Sequence, residues 1–215
     1  MHPQFDYIFE LFTLLISLAV AEMLMGFSRI LKLRARRKAG GDPTAISVRV
    51  GWLVPLLGLL VLIDLATFWS IIWTMRGVLD MRIATIFAVL VLIGGYYLIA
   101  TLVFPDEPEL WPDFDAYFWQ QKRLVAGGVL LINLASTLAS IMLGAQGPEE
   151  VAAAQKAAVE NPAFAISSLI MLFNFPAFLW LAFSKRRIMC IVLMGFIIFT
   201  QLLHAYSTWG LEGIL

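Results

Sequence analysis

The hydrophobic positions of this chain form long runs, whereas polar and charged residues collect in short segments between them. A helical residue rises about 1.5 Å, so roughly 20 apolar residues are needed to cross the hydrocarbon of a bilayer. Six stretches reach that length, at about 7–31, 50–75, 83–104, 124–143, 163–183 and 188–209. The pattern therefore predicts an all-α polytopic membrane protein with six transmembrane helices.

The composition is typical of a chain embedded in lipid. Of its 215 residues 61% are hydrophobic and 14% are charged, whereas a soluble domain has about 45–50% apolar and about 25% charged residues. The connecting segments are too short to build a soluble core of their own. Residues 1–10 contain no Lys or Arg, unlike the basic start of a secretory signal, so we expect the first apolar segment to be a permanent span.

Basic residues fall mostly on one side of the predicted spans. The first, third and fifth loops hold seven, two and three Lys or Arg residues, and the opposite side holds only Arg76, Arg82 and Lys156. Cytoplasmic loops carry the excess of Lys and Arg. We therefore expect loops one, three and five to be cytoplasmic and both termini to lie outside, in a bacterial inner membrane. The net charge is zero, so we expect no nucleic-acid binding.

Two pairs of short motifs recur in the two halves of the chain. They are FDYIF at 5–9 with FDAYF at 114–118, and LIDLATF at 62–68 with LFNFPAF at 172–178. The second pair places Asp64 over Asn174. Three spans in each half, 1–110 and 111–215, would invert the second half relative to the first, as in many secondary transporters. We therefore expect inverted three-helix repeats; the alternative is six unrelated spans with similar flanks.

Asp64 lies in the middle of the second apolar segment, where an ionised side chain is unfavourable. A charge at the bilayer centre costs about 2.5–3.5 kcal/mol on insertion scales. No residue beside it in its own helix neutralises it, so its partner must come from another span or from water. Asn133 and Asn174 lie at a compatible depth, and each can donate a hydrogen bond to a carboxylate. We expect these two amides to orient Asp64.

Further polar residues lie in the outer halves of the predicted spans. His204 and Gln201 belong to a polar stripe on span six, and Glu10 with Thr13 and Ser17 forms another on span one. We expect such stripes to line a wet, outward-facing vestibule with the buried acid at its floor. The candidate substrate- or ion-binding residues are therefore Asp64, Asn133, Asn174, His204, Gln201 and Glu10.

Glu22 and Arg29 lie near the predicted inner edge of span one. They are seven positions apart, which places them on similar faces of a helix. Two interpretations are open. The pair is either a structural ion pair or an inner gate that closes the cytoplasmic end.

The spans lack the groups that several membrane enzymes and cofactors require. All lysines are expected at span ends or in loops, two histidines are too few for bis-histidine haem ligation, and no phosphate-binding loop motif is present. Asp64 has no second aspartate at its depth to form a protease dyad. The lone Cys190 excludes an internal disulfide. We expect no enzymatic activity, no cofactor and no metal.

These features favour a small transporter or channel for a cation or proton, or for a small solute coupled to one, with Asp64 as the binding group. The alternative is a non-transporting scaffold, sensor or assembly partner, whose basic first loop and acidic third loop dock cytoplasmic proteins or anionic lipid. The expected partners are the lipid bilayer, the cation or solute, and further copies of the chain, because six short helices enclose little volume.

Overall fold

The chain is helical along most of the part that the structure describes. This structure is a computed structural model, and it describes residues 3–39, 48–74, 82–142 and 148–209. The helices are α1 (Pro3–Ala39), α2 (Leu53–Thr74), α3 (Ile83–Thr101), α4 (Phe114–Met142), α5 (Pro148–Glu160), α6 (Pro162–Met171), α7 (Asn174–Phe183) and α8 (Arg187–Trp209), with a short 3-10 helix at Pro108–Leu110. The all-α prediction is confirmed.

Six helical segments are long and apolar enough to cross a membrane, and they match the six predicted spans in order. They are Phe9–Ala39, Leu53–Ser70, Ile83–Thr101, Phe114–Met142, Pro162–Phe183 and Arg187–Thr208. The predicted span ends at Met75 and Leu143 lie outside the described residues. Large apolar side chains face outward, including Ile83, Val91 and Ile188 at 72–77% exposure. Soluble proteins rarely expose apolar surface on this scale, so the surface indicates contact with lipid.

The helices differ from the predicted spans in three places. α1 has 37 residues and is about 55 Å long, which is longer than a hydrocarbon layer of about 30 Å. α4 begins at Phe114 rather than near 124, because the Asp113 side chain caps its first turn by accepting a hydrogen bond from the Asp115 N–H at 2.9 Å. α5 lies in a segment predicted as a linker, where a run of alanines favours helix.

The fifth span is broken in its middle, between α6 and α7. Residues 172–173 form a turn at this point. Pro176 explains the break, because it has no N–H to donate to the Leu172 carbonyl four residues earlier. The helix resumes where the Ala177 N–H donates to the Phe173 carbonyl at 3.0 Å.

The helices form one bundle in which α2, α4 and α8 are central. α2 packs against α1, α4 and α8, while α3 packs against α1 and α4, and α6 and α7 pack on α8. The fully buried core side chains include Phe12, Leu57, Leu60, Phe68, Phe118 and Leu181. α1 packs mainly on α3, whereas its predicted counterpart α4 packs mainly on α7. The two halves thus pack differently, and the inverted repeat stays a prediction.

Two glycines, one on α1 and one on α2, face the same aromatic ring. The Phe104 side chain, just after α3, is buried and lies against Gly26 of α1 and Gly58 of α2. A Cβ atom at either glycine would overlap the ring. Phe27 packs edge-on against the same ring, with centroids 4.9 Å apart. Phe104 therefore fills the space between these helices.

Three connecting segments meet at one end of the bundle. The backbone of Arg49 pairs with Pro112 and Phe114, and Asp115 forms an ion pair with Arg187 at 3.0 Å. The first, third and fifth loops therefore share one end, as six alternating spans require. We call it the basic end; it carries Lys32, Arg34, Arg36, Arg37, Lys38, Arg123, Lys185, Arg186 and Arg187.

Candidate functional site

Asp64 is buried at the middle of α2, where it is the twelfth of 22 residues. It is only 2% exposed, although Leu60, Val61 and Phe68 beside it in the helix are apolar. The prediction that its partners come from other spans is confirmed, because three other helices each supply one hydrogen-bond donor.

Three neutral side chains donate to the two oxygens of this carboxylate. The Tyr96 hydroxyl on α3 and Asn133 Nδ2 on α4, the latter at 2.9 Å, donate to Asp64 Oδ2. Gln201 Nε2 on α8 donates to Oδ1 at 2.6 Å. We call these four residues the Asp64 cluster. The cluster ties α2 to three helices, and the described residues bring no cationic side chain into contact with the carboxylate.

Packing around the cluster brings its partners into reach. Gly128 of α4 lies so close to Ile99 of α3 that an added Cβ atom would be 2.7 Å from the isoleucine side chain. This glycine lets α3 and α4 approach each other. Phe68, one turn from Asp64 on α2, packs on the Tyr96 ring with centroids 5.2 Å apart. The tyrosine is thereby held with its hydroxyl at the carboxylate.

The two amides of the cluster are held differently. Asn133 Nδ2 also donates to the Val129 carbonyl at 3.1 Å, so only its nitrogen end fits this position. Gln201 Nε2 is bonded to Asp64, while Gln201 Oε1 is buried and has no hydrogen-bond partner among the described residues. Among the described residues, Asp64 alone therefore sets the orientation of the Gln201 amide.

The expected water-filled vestibule does not reach Asp64, so this expectation is wrong for the described conformation. The three donors enclose the carboxylate, and hydroxyls expected to line the vestibule bond to their own helices instead. Thr13 donates to the Phe9 carbonyl at 2.8 Å, and Ser136 donates to the Ile132 carbonyl at 2.7 Å. Such contacts one turn back along the helix satisfy a hydroxyl without water.

Asn174, at the start of α7, bonds to Thr200 rather than to Asp64. Thr200 Oγ1 donates to Asn174 Oδ1 at 2.8 Å. The expectation that Asn174 orients Asp64 is therefore corrected, and the reason is that α7 packs on α4 and α8. Asn174 Nδ2 is buried and without a hydrogen-bond partner in the described ranges. Thr200 directly precedes Gln201 on α8, so this contact adjoins the Asp64 cluster along the chain.

His204 belongs to a second polar group, one helical turn beyond Gln201 and further from the basic end. The rise between the two residues is about 4.5 Å. His204 Nδ1 is 3.3 Å from the Ser167 hydroxyl, which is 2.8 Å from the Ser207 hydroxyl. We call His204, Ser167 and Ser207 the His204 cluster; it joins α6 to α8. Glu10, by contrast, has an exposed side chain on α1.

Glu22 and Arg29 form a direct ion pair within α1. Arg29 Nη2 is 2.8 Å from Glu22 Oε1, and Arg29 Nη1 is 3.4 Å from Asp106 Oδ1. Asp106 belongs to the third loop, so the contacts tie α1 to the segment that follows α3. The structure thus favours the structural interpretation of this pair, and the inner gate stays a prediction.

Two residues of these contacts, Tyr96 and Lys122, could not be recognised from the sequence. Tyr96 lies in the run GGYY at mid-span, and that depth was the available signal, although an aromatic ring there resembles a core residue. Lys122, expected in a loop, is 3% exposed inside α4. Its ammonium donates to the carbonyls of Leu181, at 3.2 Å, and Ser184. A cation suits this position because the C-terminal end of a helix, here α7, is partially negative.

No protein-family model, no curated protein and no solved structure matches this chain. Within the described ranges, no group of three or more His, Cys, Asp and Glu side chains is arranged to hold a metal ion. The Asp64 cluster is therefore the feature on which a functional proposal rests.

Proposed function

We propose that this chain is a small membrane carrier that moves a proton, or a small solute together with a proton, and that Asp64 binds the proton. The observation that carries the proposal is a carboxylate at the centre of α2 whose three hydrogen-bond donors are all neutral. Removing an ionised carboxylate from water costs several kcal/mol in a protein interior. A bound proton removes that cost.

The donors around Asp64 favour a proton over a metal cation. Asn133 turns an N–H toward the carboxylate and is fixed in that orientation by the Val129 carbonyl, whereas a hard cation needs an oxygen ligand in that place. A proton needs no such shell, because it occupies a single oxygen. The cation in the proposal is therefore the proton.

Protonation of Asp64 changes at least one contact between helices. The ionised carboxylate only accepts hydrogen bonds, whereas the protonated acid must donate one. At least one bond from α2 to α3, α4 or α8 therefore has to rearrange when the proton binds. A carrier needs such a link, because a ligand shifts a conformational equilibrium only when it interacts differently with the two states.

The burial of Asp64 favours a carrier over an open channel, since helices must move before a proton can reach it. The break at 172–173 offers a hinge, because Pro176 leaves the helix without one backbone hydrogen bond. Broken helices near a buried site are common in secondary transporters. The His204 cluster joins the outer segment α6 to α8, so we place His204 on the outer route of the proton.

We place the basic end in the cytoplasm and both termini outside, in a bacterial inner membrane, because Lys and Arg concentrate at that end. There the Asp115–Arg187 ion pair, at 3.0 Å, and the contacts of Lys122 hold α4, α7 and α8 together. In this proposal these charge-assisted contacts close the inner side. The inverted repeat and the association of copies belong to the same proposal.

Proton flux into liposomes tests this function. Reconstituted protein, with a pH-sensitive dye inside the vesicles, is expected to dissipate an imposed pH gradient faster than protein-free vesicles, alone or with small solutes of a cell extract outside. Asp64→Asn preserves the shape but cannot ionise, and we expect it to abolish the excess rate. Glu160→Gln, the same chemical change at an exposed position of α5, should leave the rate unchanged. Equal rates for wild type and Asp64→Asn would exclude Asp64 as the carrier group.

A non-transporting scaffold or sensor is the second candidate, and the extension of α1 favours it. The helix continues to Ala39 with basic residues in its last turn. A polybasic segment beside a span binds anionic head groups with about 1 kcal/mol per residue. Vesicles without flux under any gradient support this candidate if neutralising Arg34, Arg36 and Arg37 also releases a co-purifying protein or anionic lipid.

A further inference from the structure

The Gln201 amide is the one polar contact of Asp64 that is free to turn over. Turning the Asn133 amide would set its oxygen against the Val129 carbonyl, because Asn133 Nδ2 is shared between that carbonyl and Asp64. Gln201 Nε2 has its bond to Asp64, and Gln201 Oε1 is buried without a hydrogen-bond partner in the described part of the chain. Buried polar atoms are normally paired. In the present orientation, Gln201 Oε1 lacks, within the described ranges, the hydrogen bond that a buried acceptor normally has.

A proton on Asp64 Oδ1 changes this oxygen from a hydrogen-bond acceptor into a donor. The protonated oxygen must donate, but the atom 2.6 Å away is Gln201 Nε2, which is itself a donor. A half-turn of the amide exchanges Nε2 for Oε1 and restores the hydrogen bond. Oδ2 remains an acceptor throughout, so Tyr96 and Asn133 keep their contacts. The cluster then has three hydrogen bonds in both protonation states, and one end of the Gln201 amide lacks a partner among the described residues in each.

A proton on Asp64 Oδ2 would satisfy the cluster less well. Tyr96 and Asn133 both donate to this oxygen. The Tyr96 hydroxyl would have to turn its own proton away, and the described residues offer it no second acceptor. The Asn133 amide, fixed by Val129, would face a new donor at 2.9 Å. Oδ1 is therefore the oxygen that takes the proton.

Given the groups packed around Asp64, the proton that changes with pH in this region is its own. Tyr96 on α3 is the titratable side chain in contact with it, while α4 and α8 contribute the neutral Asn133 and Gln201. His204 lies one turn further along α8 and contacts Ser167. α1, which also packs on α2, faces this region with the apolar Phe12, whose ring is 5.9 Å from that of Phe68.

We propose that Gln201 is a positioning residue that follows the charge of Asp64. It donates from Nε2 to the ionised carboxylate, and it accepts at Oε1 when Asp64 is protonated on Oδ1. The inference rests on the proposed function, because it requires Asp64 to gain and lose a proton. The proton comes from the aqueous phase, and no other covalent bond changes. The described arrangement, in which three side chains donate to the carboxylate, is the one that suits the ionised form.

Infrared difference spectra of the reconstituted protein, recorded between alkaline and acidic pH, test this inference. Glutamine with a ¹³C-labelled side-chain carbonyl separates the Gln201 band from backbone bands. On acidification we expect this band to shift to lower frequency, because Oε1 passes from unpaired to accepting. The shift should disappear in Gln201→Leu, and also in Asp64→Asn, which has the wild-type shape and does not titrate. Labelled Asn133 serves as the fixed-amide control, with a smaller shift.

The same spectra separate a failure of this inference from a failure of the proposed function. A protonated carboxyl band that appears on acidification and is missing in Asp64→Asn reports the proton on Asp64. If that band is present and the Gln201 carbonyl band stays in place, the amide does not turn and this inference is wrong while proton binding stands. If the carboxyl band of Asp64 is missing at every pH, the proposed function fails as well.

Discussion

Replacing Asp64 by leucine and by asparagine isolates the hydrogen bonds of the Asp64 cluster from its charge. Both substitutes are neutral, so the desolvation of a carboxylate cancels when the two variants are compared. Leucine leaves the Tyr96 hydroxyl and Gln201 Nε2 without their acceptor, whereas Asn133 Nδ2 keeps the Val129 carbonyl. Asparagine retains one carbonyl oxygen for Tyr96 and Asn133, and its NH₂ group can donate to Gln201 once that amide has turned.

The expected difference follows from the number of donors that leucine strands. A buried donor without a partner costs about 1–3 kcal/mol. Two such donors make the free energy of unfolding of Asp64→Leu about 2–6 kcal/mol lower than that of Asp64→Asn. The comparison is made at one pH and in one lipid mixture, so that the bilayer contribution is the same for both variants.

Denaturant titration of both variants in lipid–detergent bicelles measures this difference. Thr67→Val is the matched control on α2, because the Thr67 hydroxyl donates to the Ile63 carbonyl of its own helix at 3.2 Å. We expect this control to stay within about 1 kcal/mol of wild type. If the leucine and asparagine variants of Asp64 differ by less than the control does from wild type, the three donors do not enclose residue 64 and the described cluster is wrong.

Three further experiments test other contacts of the bundle. Lys122→Met removes a buried donor from the last carbonyls of α7, so we expect the free energy of unfolding to fall by about 1–3 kcal/mol; an unchanged value would contradict the contact. Gly58→Leu collides with the Phe104 ring and should cost about 1–3 kcal/mol, whereas Gly195→Ala, which meets no neighbouring atom, should be neutral or stabilising. Melting temperatures in the reverse order would refute this packing. In a double-mutant cycle, the partly exposed Glu22–Arg29 pair should contribute no more than about 1 kcal/mol, and a coupling above about 2 kcal/mol would contradict this expectation.

Depth along the membrane could be predicted from the sequence, and this accounts for the parts of the fold that are confirmed. An apolar run long enough for the bilayer becomes a helix, because lipid offers no partner for an exposed backbone group. Asp64 could likewise be placed at mid-helix, where its partners had to come from another span or from water. Asn133, at a matching depth on α4, does donate to it.

The rotation of each helix could not be predicted, because side-chain packing between helices decides it. Tyr96 and Asn174 both lie at a depth that suits Asp64, yet α3 turns Tyr96 toward the carboxylate, while α7 turns Asn174 toward Thr200. The expectation of a water-filled vestibule at Asp64 was wrong for a related reason. A hydroxyl such as that of Ser136 can bond either to water or to a carbonyl of its own helix. Here it bonds to the Ile132 carbonyl.

The buried position of Lys122 could not be predicted for a different reason. A basic residue between two apolar runs normally marks a loop, and the sequence offers no sign that a helix C-terminus lies opposite. The structure places Lys122 inside α4 and against the end of α7. Contacts of this kind join residues that are far apart in the chain, so they could not be predicted from a single sequence.

Counting the protons that the purified protein binds tests most directly whether Asp64 changes its protonation state. Potentiometric titration of wild type and of Asp64→Asn, between about pH 4 and about pH 10, gives two curves whose difference belongs to this side chain and the groups it influences. We expect the wild type to bind about one proton more per chain at the acidic end, released within that range. Curves that superimpose over the whole range would mean that residue 64 exchanges no proton, and a carrier based on it could not operate.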